Sequence, residues 1–139
     1  LRIIGGEKRG LKLQPFAGMA IRPTADRLRE SIFNILGPLG SADSVLDLFA
    51  GTGALGIEAL SRGARSAVFI DHSAKAIALI QRNLAHARLA QRGRTIQWDI
   101  VKNLDCLQNI PWRMDLVFVD PPYAKQMVPP ALHHLDQIH

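Results

Sequence analysis

The chain has 139 residues, 47% of them hydrophobic, with a formal net charge of +5 and a single cysteine. That length suits one domain with a sizeable core. It excludes a bilayer-spanning helix, since no apolar run approaches roughly 20 residues, and an internal disulfide, since Cys106 has no partner. The charge is uneven. Residues 1–36 hold seven basic groups against three acids, whereas the rest of the chain holds ten against nine. The front is therefore a candidate phosphate-facing surface, with an ordinary solvated basic face as the bland alternative. Histidines 72, 86, 133, 134 and 139 show no metal-ligand spacing with Cys106, so no metal is expected. The start lacks a signal-peptide layout, and the missing initiator Met leads us to expect a trimmed or partial chain. Cysteine usage leads us to expect a reducing, cytoplasmic setting.

Taken in order, RIIGGEKRGLKLQP pairs short apolar runs around Gly-Gly and Arg-Gly and reads as a small hairpin. RPTADRLRESIFNILGP reads as a helix. Pro23 and Thr24 suit its start, Leu28, Ile32, Ile35 and Leu36 recur at helical spacing, and Gly37-Pro38 stops it. After residue 40 the pattern changes. Short runs rich in Val, Ile and Phe (SVLDLFA, RSAVFID, RTIQWD, MDLVFVD) alternate with the helical stretches ALGIEALSRG, SAKAIALIQRNLAHARLA and IVKNLDCLQNI. This alternation predicts an α/β fold, a parallel sheet with helices on both faces. We expect residues 41–139 to form that core, behind a hairpin-and-helix extension over 1–40 that covers cofactor or RNA.

Asp71, Asp99 and Asp120 stand where their strands leave the apolar run, and Asp47 precedes the turn of the first strand. Open α/β sheets bind ligands outside the carboxyl ends of their strands. Any one of these acids could be a cap; four at four strand ends read as one rim. Between the first strand and the next helix, Gly51, Gly53 and Gly56 fit G-x-G-x-x-G, with Ala50 and Thr52 in the same turn and Asp71, followed by His72, at the next strand's end. That is formally a dinucleotide fingerprint, and its secure content is a nucleoside. Asp47 would repel a pyrophosphate but attract the ammonium of a methionine moiety. Asp99, beside Ile100, can accept from an adenine amine. These two residues favour S-adenosylmethionine over NAD.

The stretch MDLVFVDPPYAKQ then offers chemistry to match. The lone pair of an exocyclic amine is delocalised into its ring. Acceptors on both N–H groups, from Asp120 and the Pro121 carbonyl, would aim that pair at an electrophile. Pro121 and Pro122 fix direction without adding a donor. Tyr123 gives a face on which a base can stack, worth about 1–3 kcal/mol. The alternative reading is a rigid structural turn.

DPPY after a strand resembles the motif of amino-group methyltransferases acting on nucleic-acid bases. RPTADRLRESIFNIL followed by VLDLFAGTGALGIEALSRGA is similar to the bacterial family that methylates guanine N2 in small-subunit (16S) ribosomal RNA, the RsmD-type enzymes, and the similarity runs from RIIGG to Tyr123. The resemblance implies a Rossmann-like class I methyltransferase fold. It implies that Asp47, Gly51 and Gly53 contact the methionine part of S-adenosylmethionine, Asp71 its ribose, Asp99 its adenine, and Asp120 with Pro121 the target amine. It implies ribosomal RNA as partner, in an assembled or partly assembled 30S particle, with Arg2, Lys8, Arg9, Arg22, Arg27 and Arg29 as nucleic-acid contacts. The family continues for several dozen residues past Tyr123, so the sheet here is expected to lack its C-terminal strands. A DNA adenine-N6 methyltransferase, an NAD-dependent oxidoreductase and a non-enzymatic RNA-binding module remain the competing readings.

Overall fold

The computed structural model describes residues 1–18, 23–111, 113–121 and 124–138. The front of the chain folds back on itself. Arg2 and Lys12 form an antiparallel bridge, and Ile3 N–H donates to Leu11 O at 2.9 Å. Helix α1 (Pro23–Leu36) follows, then β1 (Ser44–Leu48), α2 (Ala54–Ser61), β2 (Ser66–Asp71), α3 (Ala74–His86), β3 (Gly93–Gln97), β4 (Leu116–Val119) and α4 (Ala124–Ile138). The four strands are all parallel, in the order β3-β2-β1-β4.

Alternation within the strands builds two cores. Val45, Ala67, Phe69 and Phe118 face Ile57 and Leu60 of α2 and Ile80 and Leu84 of α3. Leu46, Leu48, Val68 and Ile70 face Ile100, Leu104, Leu107 and, in α4, Ala131. A sheet covered on both faces needs near-continuous apolar strands, and β1 is buried at all five positions. The expected architecture is thus present. Ile3, Leu13 and Phe33 from the front belong to the same core as α2 and α3.

The helix boundaries of α1 agree with the sequence pattern, but its buried face does so only in part: of the expected stripe, Ile32 packs against the core. Leu28 and Ile35 are 62% and 85% exposed, while Arg29 and Phe33 are buried. The cause is Glu58 of α2, which has no solvent access. Its carboxylate accepts Ile4 N–H and Gly5 N–H at 2.9 Å each, Arg29 Nε at 3.3 Å and Arg62 Nε at 2.8 Å. Drawing Arg29 inward rolls α1 so that Phe33 meets Phe118, ring centroids 5.6 Å apart, beneath the Arg62 guanidinium.

Two further differences are local. IVKNLDCLQNI holds only a 3-10 turn, Asp105–Asn109. Asp99 Oδ1 accepts Val101 N–H and Asn103 Oδ1 accepts Asp105 N–H, side-chain turns that compete with a helix. The residues after Tyr123, for which the pattern suggests no element, form α4 with Pro129 and Pro130 inside it.

Replacing Glu58 by Ala should lower the unfolding free energy by about 3–5 kcal/mol, because buried Arg29 would keep only Asp26 and the Arg2 carbonyl while Ile4 and Gly5 N–H would lose their acceptor. Urea unfolding checks this, and a loss under about 1 kcal/mol would deny the cluster its structural role.

Candidate active site

The chain order reverses beside β1, which has β2 on one side and β4 on the other. A cavity of about 730 Å³ opens at the C-terminal ends of these three strands, at the switch point where open α/β sheets take their ligands. Asp47, the glycine loop, Asp71 and Asp120 line it from the sheet side. Pro15, Phe16, Ala25 and Asp26 close it from the front of the chain.

Three glycines with different roles shape the loop between β1 and α2 and the first turn of α2. Gly53 has φ +84, and a Cβ there would crowd Ile80 and Ile57 at 3.2–3.3 Å. Gly56 lies inside α2, where a Cβ would come within 2.3 Å of the Phe69 ring. The third glycine of the fingerprint therefore serves helix-on-sheet packing. Gly51 also has a positive φ, +59, and a Cβ there would stand in ordinary contact with the Phe16 ring at 3.9 Å, so its absence leaves backbone bare toward the front wall.

The acids divide the work. Asp47 is 1% exposed, and its Oδ2 accepts Gly56 N–H at 3.0 Å. Burial pushes its carboxyl from 3.8 up to about 8; the Gly56 N–H opposes the shift, while Asp120 and Asp71 add to it by repulsion. Asp71 ties the loops together, Oδ2 accepting Gly51 N–H at 3.0 Å and Oδ1 accepting Ser73 N–H at 2.9 Å. Each oxygen keeps a further lone pair for a ligand. Asp99 and Ile100 sit apart from these, around a smaller cavity of about 90 Å³ with Phe49, His72 and Trp98. Phe49 holds φ 56, a left-handed conformation that costs a non-glycine residue about 1–3 kcal/mol and clusters at ligand sites. Asp120 is exposed at the tip of β4 and Pro121 is buried behind it.

Pro122, Tyr123 and Arg22 lie outside the described residues. Among the proposed nucleic-acid contacts, Arg29 is a correction: it is 5% exposed and donates to Glu58, Asp26 and the Arg2 carbonyl, so it cannot reach a phosphate. Lys8 pairs with Glu7 at 3.4 Å. Arg2, Arg9 and Arg27 line a separate cleft of about 390 Å³ that shares Asp26 with the main cavity.

Sequence reasoning overlooked Phe16 and Asn83. Phe16 carried no signal, standing alone in a loop. Asn83 did: it is a polar residue at a core-facing position of α3, among buried Ala76, Leu79, Ile80 and Leu84.

A parallel sheet wound in this order, with a glycine loop and an acidic rim at its switch point, defines a Rossmann-like methyltransferase fold. The protein yhhF of Escherichia coli shares it at TM-score 0.80 and 38% identity, over 97% of this chain and 72% of that one. The family described as Conserved hypothetical protein 95 matches residues 1–139, and the chain belongs to that family, the RsmD-type methyltransferases. Protein YlbH of Bacillus subtilis (strain 168) is 39% identical over 137 residues, 99% of this chain and 74% of that protein. Ribosomal RNA small subunit methyltransferase D of Escherichia coli (strain K12) is 38% identical over 136 residues, 98% of this chain and 67% of that enzyme.

The raised Asp47 carboxyl has a stability consequence with a definite sign. Between 3.8 and about 8 the folded chain holds a proton that the unfolded chain has lost, so this group's contribution falls as pH rises through that window. Asp47→Asn should therefore gain stability relative to the parent from pH 5 to pH 8 in the absence of ligand. Thermal unfolding of both across that range measures it, and parallel curves would refute the assignment.

Proposed function

We propose that this chain transfers a methyl group from S-adenosylmethionine to the exocyclic N2 amine of a guanine in small-subunit ribosomal RNA. The setting is the cytoplasm, with a 30S particle, assembled or partly so, as substrate. One observation carries the reading: Asp47 beneath the glycine loop, Asp71 and Asp120 share a single cavity at the switch point.

The residues present suit the donor. Phe49, Leu55 and Ala76 offer apolar wall, and the Gly51–Phe16 gap admits a ligand against bare backbone. A cluster of carboxylates suits a cationic ligand and disfavours a pyrophosphate, which counts against the dinucleotide reading. Asp47, with Gly51, Thr52 and Gly53, would hold the methionine end and Asp71 the ribose. Asp99, with His72 and Ile100, would hold the adenine in the smaller cavity. When bound, S-adenosylmethionine supplies an electrophilic methyl on a positively charged sulfur.

The chain's own part is positioning. Asp120 and the Pro121 carbonyl accept the two amine hydrogens, turning the nitrogen lone pair out of the guanine plane toward the cavity. Of the two residues that follow in sequence, Pro122 would add no competing donor and Tyr123 would offer the base a stacking face. Transfer would form the N–C bond as the S–C bond breaks, leaving a neutral thioether, and the amine proton, acidic once the nitrogen is alkylated, would pass to the Asp120 carboxylate and on to solvent. Acceptors placed where positive charge develops, without reorganisation, account for the acceleration. The guanine must be unpaired or flipped out to reach them. The described part of residues 1–40 would cover this core, with Arg2, Arg9 and Arg27, which line one cleft, as its contacts to RNA phosphate.

Transfer of labelled methyl to small-subunit particles, with DNA as the comparison acceptor, tests the reading. Asp120→Ala should lower the rate by about 10²–10³-fold with S-adenosylhomocysteine affinity within a few-fold of the parent. Loss of both together, or labelling of DNA alone, would overturn it. RNA affinity should also fall steeply with added salt, and the slope should become shallower in Arg27→Ala; an unchanged slope removes that arginine from the interface.

A further inference from the structure

Residues 14–16 of the front wall have no regular secondary structure, yet they face the glycine loop at a defined distance. What holds them is a side chain from neither segment. Asn83, on α3, is 1% exposed. Its Oδ1 accepts Gln14 N–H at 2.8 Å, and its Nδ2 donates to Gln14 O at 3.0 Å and to Thr52 O at 3.0 Å.

The first two bonds copy a peptide-to-peptide pairing: the amide matches both the donor and the acceptor of one backbone residue. The third uses the remaining amide hydrogen on the glycine loop. At the other end of the Thr52–Gly53 peptide, Gly53 N–H donates to Ala50 O at 2.8 Å, so that peptide plane is fixed at both edges. Gln14 leads directly into Pro15 and Phe16, which line the cavity opposite Gly51.

We infer that Asn83 is a positioning residue that fastens the front wall (Gln14 to Phe16) to the glycine loop and thereby sets the width of the donor cavity. The inference rests on the methyl-donor reading for what the cavity holds, while the tether itself is geometry. No other side chain of similar size does the same. Asp keeps the acceptor but has no amide hydrogens, leaving the Gln14 and Thr52 carbonyls facing negative charge. Leu satisfies none of the three backbone groups, and buried backbone groups need partners.

Asn83→Asp is the informative variant, with Leu107→Ala as control, since Leu107 packs on the opposite face of the sheet. Three measurements are made where both variants are folded: calorimetric affinity for S-adenosylhomocysteine, amide hydrogen exchange, and methyl-transfer kinetics. For Asn83→Asp the expected result is at least tenfold weaker binding and faster exchange confined to residues 13–17 and 50–54. KM for the donor should rise, with kcat within threefold. Leu107→Ala should keep its affinity within twofold. Should Asn83→Asp fail to fold, Asn83→Ser, which retains one donor, replaces it with the same expectations. Affinity within twofold of the parent, or exchange unchanged in both segments, would overturn the inference. A parent that binds no S-adenosylhomocysteine would instead sink the methyl-donor reading, and the exchange comparison would still decide the tether.

Discussion

A carboxylate without solvent survives in a protein interior only if donors surround it. Glu58 meets that condition with two backbone N–H groups from the front of the chain and one guanidinium on either side, Arg29 and Arg62. Because its partners come from three places, satisfying this one group dictates how the front segment sits. The chain at Ile4 and Gly5 must lie against α2, and α1 must turn Arg29 inward. Phe33 then lands on Phe118 of β4. The first turn of α1 ends up at the rim, where Ala25 and Asp26 line the main cavity. One wall of the site is thus placed by an ion-pair cluster that reaches it through Asp26, which pairs with Arg29 at 3.1 Å.

The opposite wall is governed by a different economy of hydrogen bonds. Asp47 supports the start of α2 from below through Gly56, and Asp71 draws the glycine loop and the turn after β2 together. Both are structural acceptors and cavity-lining acids at once. The result is a pocket with several carboxylates and little competing positive charge on its sheet side. Burial, with repulsion from Asp120 and Asp71 added to it, raises the Asp47 carboxyl, and a pocket so lined is suited to a cation. The smaller cavity beside it is separate, lined by Phe49, His72, Trp98 and the turn at Asp99.

Much of this was legible beforehand, for local reasons. Strands declare themselves through runs such as SVLDL and LVFV, a glycine turn through spacing, and a ligand rim through acids at strand ends. What escaped notice shares a cause. Leu28, Ile35 and Leu36 make an apolar helical stripe, but Arg29, read as a surface cation, took the buried place because Glu58 lay opposite it, 29 residues away. The 100–110 stretch has helical apolar spacing, yet Asp99 and Asn103 satisfy nearby backbone groups themselves and hold all but one short turn out of a helix.

Composition and order alone therefore settle the α/β class, the parallel arrangement, the glycine loop and the acids at the rim, since each follows from periodicity or from conformations that few residues can adopt. Which face of α1 is buried, which arginine is free, and how the front wall meets the loop through Asn83 were decided elsewhere. Those outcomes depend on partners distant along the chain, and a buried polar group takes whichever donors folding brings to it.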